Sequence, residues 1–137
     1  MSCVFCDDPR RVGEVMAEDD QVWVMLHHDW SVRGHAMIVT KKHIENVADL
    51  TADEAAHFAR VHHRAERALL AATGADRAIL LKLGILTPHL HLHIYPVAAT
   101  LDRAAVDEII AARVRAPRDE ELVARVRELL DSPPPTE

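Results

Sequence analysis

The chain has 137 residues, 49% hydrophobic and 28% charged, and its 16 basic and 22 acidic side chains give a net charge of −6. Such a composition suits one soluble globular domain that buries its own core, and the negative sign excludes a general binder of nucleic acid polymers, which needs clustered Lys and Arg. No stretch approaches the ~20 apolar residues of a membrane span.

Cys3-Val4-Phe5-Cys6 comes first, followed by Asp7 and Asp8 where a secretory signal would be apolar. With both cysteines in one Cys-x-x-Cys there is no disulfide framework, and the expected compartment is the cytoplasm. The pair itself reads as a zinc knuckle, a redox couple or two inert thiols. A thioredoxin-like couple should follow a core strand and open a helix, and only two residues precede this one.

Val22–Leu26, rich in β-branched and aromatic residues, predicts a strand ended by His27, His28 and Asp29. His35–Thr40 predicts a second strand antiparallel to it, with His35 on the face of Met37 and Val39. Thr51-Ala52-Asp53-Glu54 is a capping box that opens a long helix. That helix should run to about Thr73, where Gly74 supplies a left-handed stop. Phe58, Val61, Ala65, Leu69 and Ala72 form its apolar stripe, opposite a wet stripe of Asp53, His57, Arg60, Arg64 and Arg67. His57, His62 and His63 read as solvated surface.

Arg77–Leu83 predicts a third strand, Gly84–Pro88 a turn, and His89–Val97 a fourth strand beside the third. Strands, long helix, strands make an α+β layer with the helix on one face of an antiparallel sheet. Two further helices are expected at Leu101–Arg115 and Arg118–Leu130, the second striped by Leu122, Val126, Leu129 and Leu130. The organisation expected is one domain over 1–131, with a core at 3–97, a helical extension at 101–131 and a disordered proline tail at 132–137.

The chemistry lies in the fourth strand, His89-Leu90-His91-Leu92-His93-Ile94-Tyr95-Pro96. Strand alternation sends Leu90, Leu92 and Ile94 to a core and lines His89, His91 and His93 on the opposite face. One histidine in a strand is ordinarily a satisfied polar residue. Three in strict alternation repel as cations, which pushes them towards neutral imidazole near pH 7, and neutral imidazole is both a nucleophile and a metal ligand.

His-φ-His-φ-His-φ-φ resembles the signature of the histidine triad (HIT) family of nucleotide hydrolases and transferases. The resemblance extends through Arg33-Gly34-His35-Ala36-Met37-Ile38-Val39 and Lys41-Lys42-His43-Ile44, and so spans roughly residues 3–97. It implies a HIT-like fold, a homodimer and a purine nucleotide or dinucleotide substrate. It implies His91 as the nucleophile towards an α-phosphate, His93 as support for the phosphate and leaving group, and His35 as the fourth histidine beside them. Flanking imidazole donors around a central nucleophilic nitrogen suit that chemistry, although the strand pattern alone leaves His89 and His93 open as attackers. Resemblance to the zinc-containing branch implies a structural zinc held by Cys3, Cys6, His43 and His89, a closed tetrahedral donor set.

Three positions depart from the family pattern. Gly84-Ile85-Leu86-Thr87-Pro88 lacks the Gly-Gln-Ser/Thr that contacts the phosphate region, leaving Thr87, one position displaced, as the substitute. Val97 follows Pro96 where many members carry Arg. His27 falls where a ribose-binding acid often sits, with Asp29 two residues away. The leading reading is an enzyme acting on a nucleoside phosphoramidate or dinucleoside polyphosphate. Against it stand a nucleotide-binding protein with little turnover and a zinc-stabilised interaction module.

Overall fold

The computed structural model describes residues 3–132, so from residue 133 on the proline tail lies outside the described residues. Five strands form one antiparallel sheet: β1 Gly13–Glu18, β2 Val22–His27, β3 Ala36–Thr40, β4 Arg77–Leu81 and β5 His91–Val97, in the order β1-β2-β3-β5-β4. The four expected strands are present and paired as expected. β1 was not foreseen. Its Gly-Glu-Val-Met-Ala-Glu carries little β-propensity, and it is held by its ladder to β2, whose register shifts between Val15 and Ala17, and by Met16, buried in the main core. The turn between them is closed by Asp19, whose Oδ1 accepts the N–H groups of Gln21 and Val22 at 2.8 and 2.9 Å.

The helices are α1 Val4–Asp7, α2 Ala52–Thr73, α3 Arg103–Ile110 and α4 Glu120–Asp131. The α2 capping box forms in both directions, with Thr51 and Glu54 exchanging bonds of 2.8 and 3.1 Å. Gly74 ends the helix at φ 75°, a left-handed value that costs glycine little. Helix α3 stops at Ile110 instead of reaching Arg115, because Ala112 turns the chain at φ 56°.

Alternation divides the sheet into two working faces. Val24 and Leu26 of β2, Ile38 of β3 and Ile94 of β5 share one core with Phe58, Ala65, Ala68 and Leu69 of α2 and with Leu122, Val126 and Leu130 of α4. Each fully buried aliphatic side chain there is worth about 1.5–3 kcal/mol over its exposed state. Helix α4 is thereby seated beside α2, with Leu129 only partly buried at its margin. On the opposite face Met25, Met37 and Val39 make a smaller core capped by Phe5 of α1. Among the described residues no large helix covers that face, and the histidines occupy it.

Two expectations are corrected. The fourth strand begins at His91 rather than His89: the Leu90 N–H bonds to the Ile44 carbonyl at 2.6 Å, and that of His89 turns back to Thr87 at 2.8 Å. His57 and His62 are not bare surface. His57 Nε2 lies 2.7 Å from Asp19 Oδ2 and His62 Nε2 3.1 Å from Glu66 Oε1.

Candidate active site and metal centre

Four donor side chains converge where α1 meets the start of β5. Cys3 Sγ is 3.4 Å from His89 Nδ1, Cys6 Sγ 3.2 Å from His43 Nδ1 and 3.6 Å from His89 Nδ1, and the two Nδ1 atoms are 3.1 Å apart. All four donor atoms lie within 4.8 Å of one another. With Zn–N of about 2.0–2.1 Å and Zn–S of about 2.3 Å, a tetrahedron has N–N edges of about 3.3 Å and N–S edges of about 3.5 Å. The observed spacings fit those edges. His89 is also aimed correctly: its Nε2 donates to the Thr40 carbonyl at 2.6 Å, which fixes the proton there and leaves Nδ1 a lone pair facing the thiols. Two such nitrogens at 3.1 Å require a cation or a proton between them. Cys3, Cys6, His43 and His89 form a possible metal site whose donor set suits zinc.

His91 and His93 pair across the ladder with Val39 and Met37, which puts both imidazoles on the face away from α2. His91 Nδ1 lies 2.6 Å from the His89 carbonyl. A carbonyl only accepts, so the His91 proton sits on Nδ1 and Nε2 keeps its lone pair. His93 Nδ1 is 2.9 Å from His35 Nε2. His35 is stacked between His27, 4.8 Å away and nearly parallel at 3°, and Tyr95 at 4.4 Å. Gly34 permits this placement. It adopts φ 86°, and a Cβ there would meet Thr73 Cγ2 at 2.9 Å.

Burial decides the charge state of this cluster. Desolvation first, then repulsion from His27 and His93, brings the His35 pKa down to about 3. Desolvation, followed by His91 and His27, lowers that of His93 to about 4. Burial also lowers His27 and His91. These imidazoles are neutral at pH 7; for His91 and His93 that is the state expected from the sequence, but burial rather than mutual repulsion is its main cause.

The cluster opens into a cavity of about 560 Å³. His27, His35, His91 and His93 line it, and so do Asp29 and Thr87. The structure thus gathers all six residues expected to do chemistry or to bind substrate, and segregates the four expected metal ligands behind His91.

A family model for the HIT domain matches residues 11–99, which contain the triad segment, the Gly-His strand and the Lys-x-His turn. The chain belongs to the HIT family. A zinc-bound HIT family protein from Mycobacterium smegmatis is 25% identical, covers 95% of this chain and 94% of its own, and superposes with a TM-score of 0.68. A HIT protein from Sinorhizobium meliloti is 21% identical over 89% of this chain and 93% of its own, with a TM-score of 0.74. A hypothetical histidine triad nucleotide-binding protein from Sulfolobus tokodaii is 23% identical over 94% and 92%, with a TM-score of 0.69. The five-stranded antiparallel sheet with its helices is the HIT fold.

This HIT chain also carries site residues that pattern reading passed over. Phe5, 2% exposed, packs its ring 4.9 Å from His91 and 5.4 Å from His89. Its position between two cysteines was the available signal. Tyr95 alternates with His93 along β5, shares its face and lines the cavity. Arg115 and Ile110 line the cavity from the C-terminal extension, and nothing in their local sequence marks them.

Proposed function

We propose that this protein is a HIT-type nucleotide hydrolase or nucleotidyl transferase, acting at the α-phosphate of a nucleoside phosphoramidate or dinucleoside polyphosphate. The observation that carries the reading is the His91 tautomer. A proton held on Nδ1 by the His89 carbonyl at 2.6 Å leaves an unprotonated Nε2 on a residue that lines the cavity. In this reading His91 Nε2 attacks phosphorus, an N–P bond forms, and the leaving group departs with the electron pair of the P–O or P–N bond, a nitrogen leaving group taking up a proton from solvent water to depart as the amine. Water or another acceptor then cleaves the nucleotidyl-histidine, so one difficult displacement becomes two. His93, with His35 behind it at 2.9 Å, supports the phosphate and leaving group. His27, Asp29 and Thr87 bind the rest of the nucleotide. The name of the Sulfolobus tokodaii protein, nucleotide-binding, accords with a nucleotide in this cavity.

The zinc-bound Mycobacterium smegmatis relative and the tetrahedral spacing of Cys3, Cys6, His43 and His89 support zinc as the resident metal. With four protein donors the site is closed, so its contribution is structural: it fixes the turn whose carbonyl orients His91.

We place the protein in the cytoplasm as a symmetric homodimer. Among the described residues no helix is long and apolar enough to cross a membrane. The edge strand β4 leaves Leu80 43% exposed, which supports a second copy there. A second reading, nucleotide binding with little turnover, is favoured by the loop before the triad, where Ile85 and Leu86 are 78% and 97% exposed and Thr87 is the one polar side chain. Mass spectrometry of protein quenched during turnover of adenosine phosphoramidate or diadenosine tetraphosphate separates the two. An adenylyl mass on the peptide containing His91 is expected, and nucleotide binding with neither product nor adduct would establish the binding protein instead.

A further inference from the structure

The residues lining the cavity include Asp29 and four histidines but, among the described residues, one Lys or Arg only: Arg115. A nucleotide carries its charge into this cavity, and the imidazoles there offer little to balance it. Burial brings His35 and His93 down to about 3 and about 4, so neither imidazole carries a charge near neutral pH. Arginine is charged at any working pH, and its planar fork matches two phosphate oxygens at once.

The backbone around Arg115 is set for this position. Helix α3 is broken by Ala112 at φ 56°, and the chain doubles back so that the Ala116 N–H bonds to the Trp30 carbonyl at 2.7 Å. That bond joins the extension to the segment carrying Asp29, and Arg115 Nη1 rests 3.7 Å from Asp29 Oδ1. Both side chains are more than half exposed, at 62% and 67%. An exposed pair at that separation contributes at most about 1 kcal/mol to stability, so it does not explain the arrangement as a brace. One carboxylate at 3.7 Å is also a weak competitor for a polyphosphate with several charges.

We propose that Arg115 binds the phosphates of the leaving group, and that the site therefore prefers dinucleoside polyphosphates to nucleoside phosphoramidates. This rests on the nucleotidyl-transfer reading above. When the bond from the α-phosphorus to the bridging oxygen breaks, that oxygen keeps the electron pair and the departing nucleoside polyphosphate is anionic. A departing amine offers a guanidinium nothing to hold. The segment that follows α3 thus supplies a cation to the wall of the cavity.

The test compares wild type, Arg115→Gln and Arg115→Lys. Gln should lower kcat/KM for diadenosine tetraphosphate by about 10- to 100-fold, the worth of a hydrogen bond to a charged group. It should leave adenosine phosphoramidate within about 3-fold, and Lys should restore part of the loss. Calorimetry on the same proteins should show Gln reducing the preference for ADP over AMP. Equal losses on both substrates, no loss on either, or an unchanged ADP-to-AMP preference would overturn the assignment. Wild-type protein that turns over neither substrate sinks the covalent reading, and the ADP-to-AMP comparison still decides Arg115.

Discussion

His91→Asn is the sharpest perturbation of the site, because it removes one nitrogen and little else. His91 Nδ1 donates to the His89 carbonyl at 2.6 Å, and an Asn side-chain amide can place an N–H in the same region. The carbonyl keeps a partner, so the ~1–3 kcal/mol cost of leaving it unsatisfied is avoided. The ring's contact with Phe5 at 4.9 Å is lost, a destabilisation of about 1 kcal/mol for one aromatic pair. Against that small structural cost stands the whole covalent step. A fixed imidazole opposite phosphorus draws on the ~7–11 kcal/mol available from proximity and orientation, and half of the middle of that range, ~4.5 kcal/mol, corresponds to more than ~10³-fold in rate. Turnover of adenosine phosphoramidate should therefore fall by at least ~10³-fold, while calorimetry finds AMP affinity within about 3-fold of wild type, since binding does not depend on the covalent step. His93→Asn should be milder, deleting one contact of roughly 2–4 kcal/mol. Retention of wild-type turnover by His91→Asn would refute the mechanism.

Protein purified without added metal should contain about one zinc per chain by elemental analysis, and chelation should lower its melting temperature, because binding at Cys3, Cys6, His43 and His89 is coupled to folding; freely titrating thiols with under a tenth of an equivalent of metal would contradict the site. His35 and His93 have folded pKa values of about 3 and about 4, below the ordinary 6.5, so below pH ~6.5 the unfolded chain binds more protons than the folded one. Their stabilising effect is complete above that pH and fades as pH falls, by up to ~2.7 kcal/mol per unit for two protons; NMR of zinc-loaded protein should show neither imidazole titrating between pH 8 and pH 5, and a midpoint near 6.5 for either would be the contrary result. Sedimentation at micromolar concentration should give twice the 15.3 kDa of one chain, and a Leu80→Glu variant should give the single mass, because the charge falls on the exposed apolar side chain of β4.

The residues legible in the sequence were those whose local pattern coincides with their tertiary environment. His91 and His93 alternate with residues that do pack under α2, and Thr51, Glu54 and Gly74 bound α2 as their chemistry dictates. Long-range partners left no local mark. β1 exists because β2 offers it a ladder, and Arg115 reaches the cavity because Ala112 breaks α3 and Ala116 bonds to Trp30. His57 read as surface because Asp19, its partner at 2.7 Å, lies 38 positions away. His62 has its partner at i+4 in Glu66, a spacing that brings two side chains together on one helix face. His89 belonged to the alternation by sequence, yet two backbone bonds take it out of the strand and give it to the metal site.

The spacing of the metal donors also sets the order in which the protein can finish folding. Cys3 meets His89 across 86 positions, and Cys6 meets His43 across 37. Contacts of such high separation form late, after closure of the long loops between them. On the ribosome, the segment with the thiols is made first and must wait for His89 before it has a place to dock. Phe5 travels with that segment, so the wall against which His91 rests is among the last parts to arrive. The histidine cluster therefore has its Phe5 backing only while the segment that carries the thiols is docked.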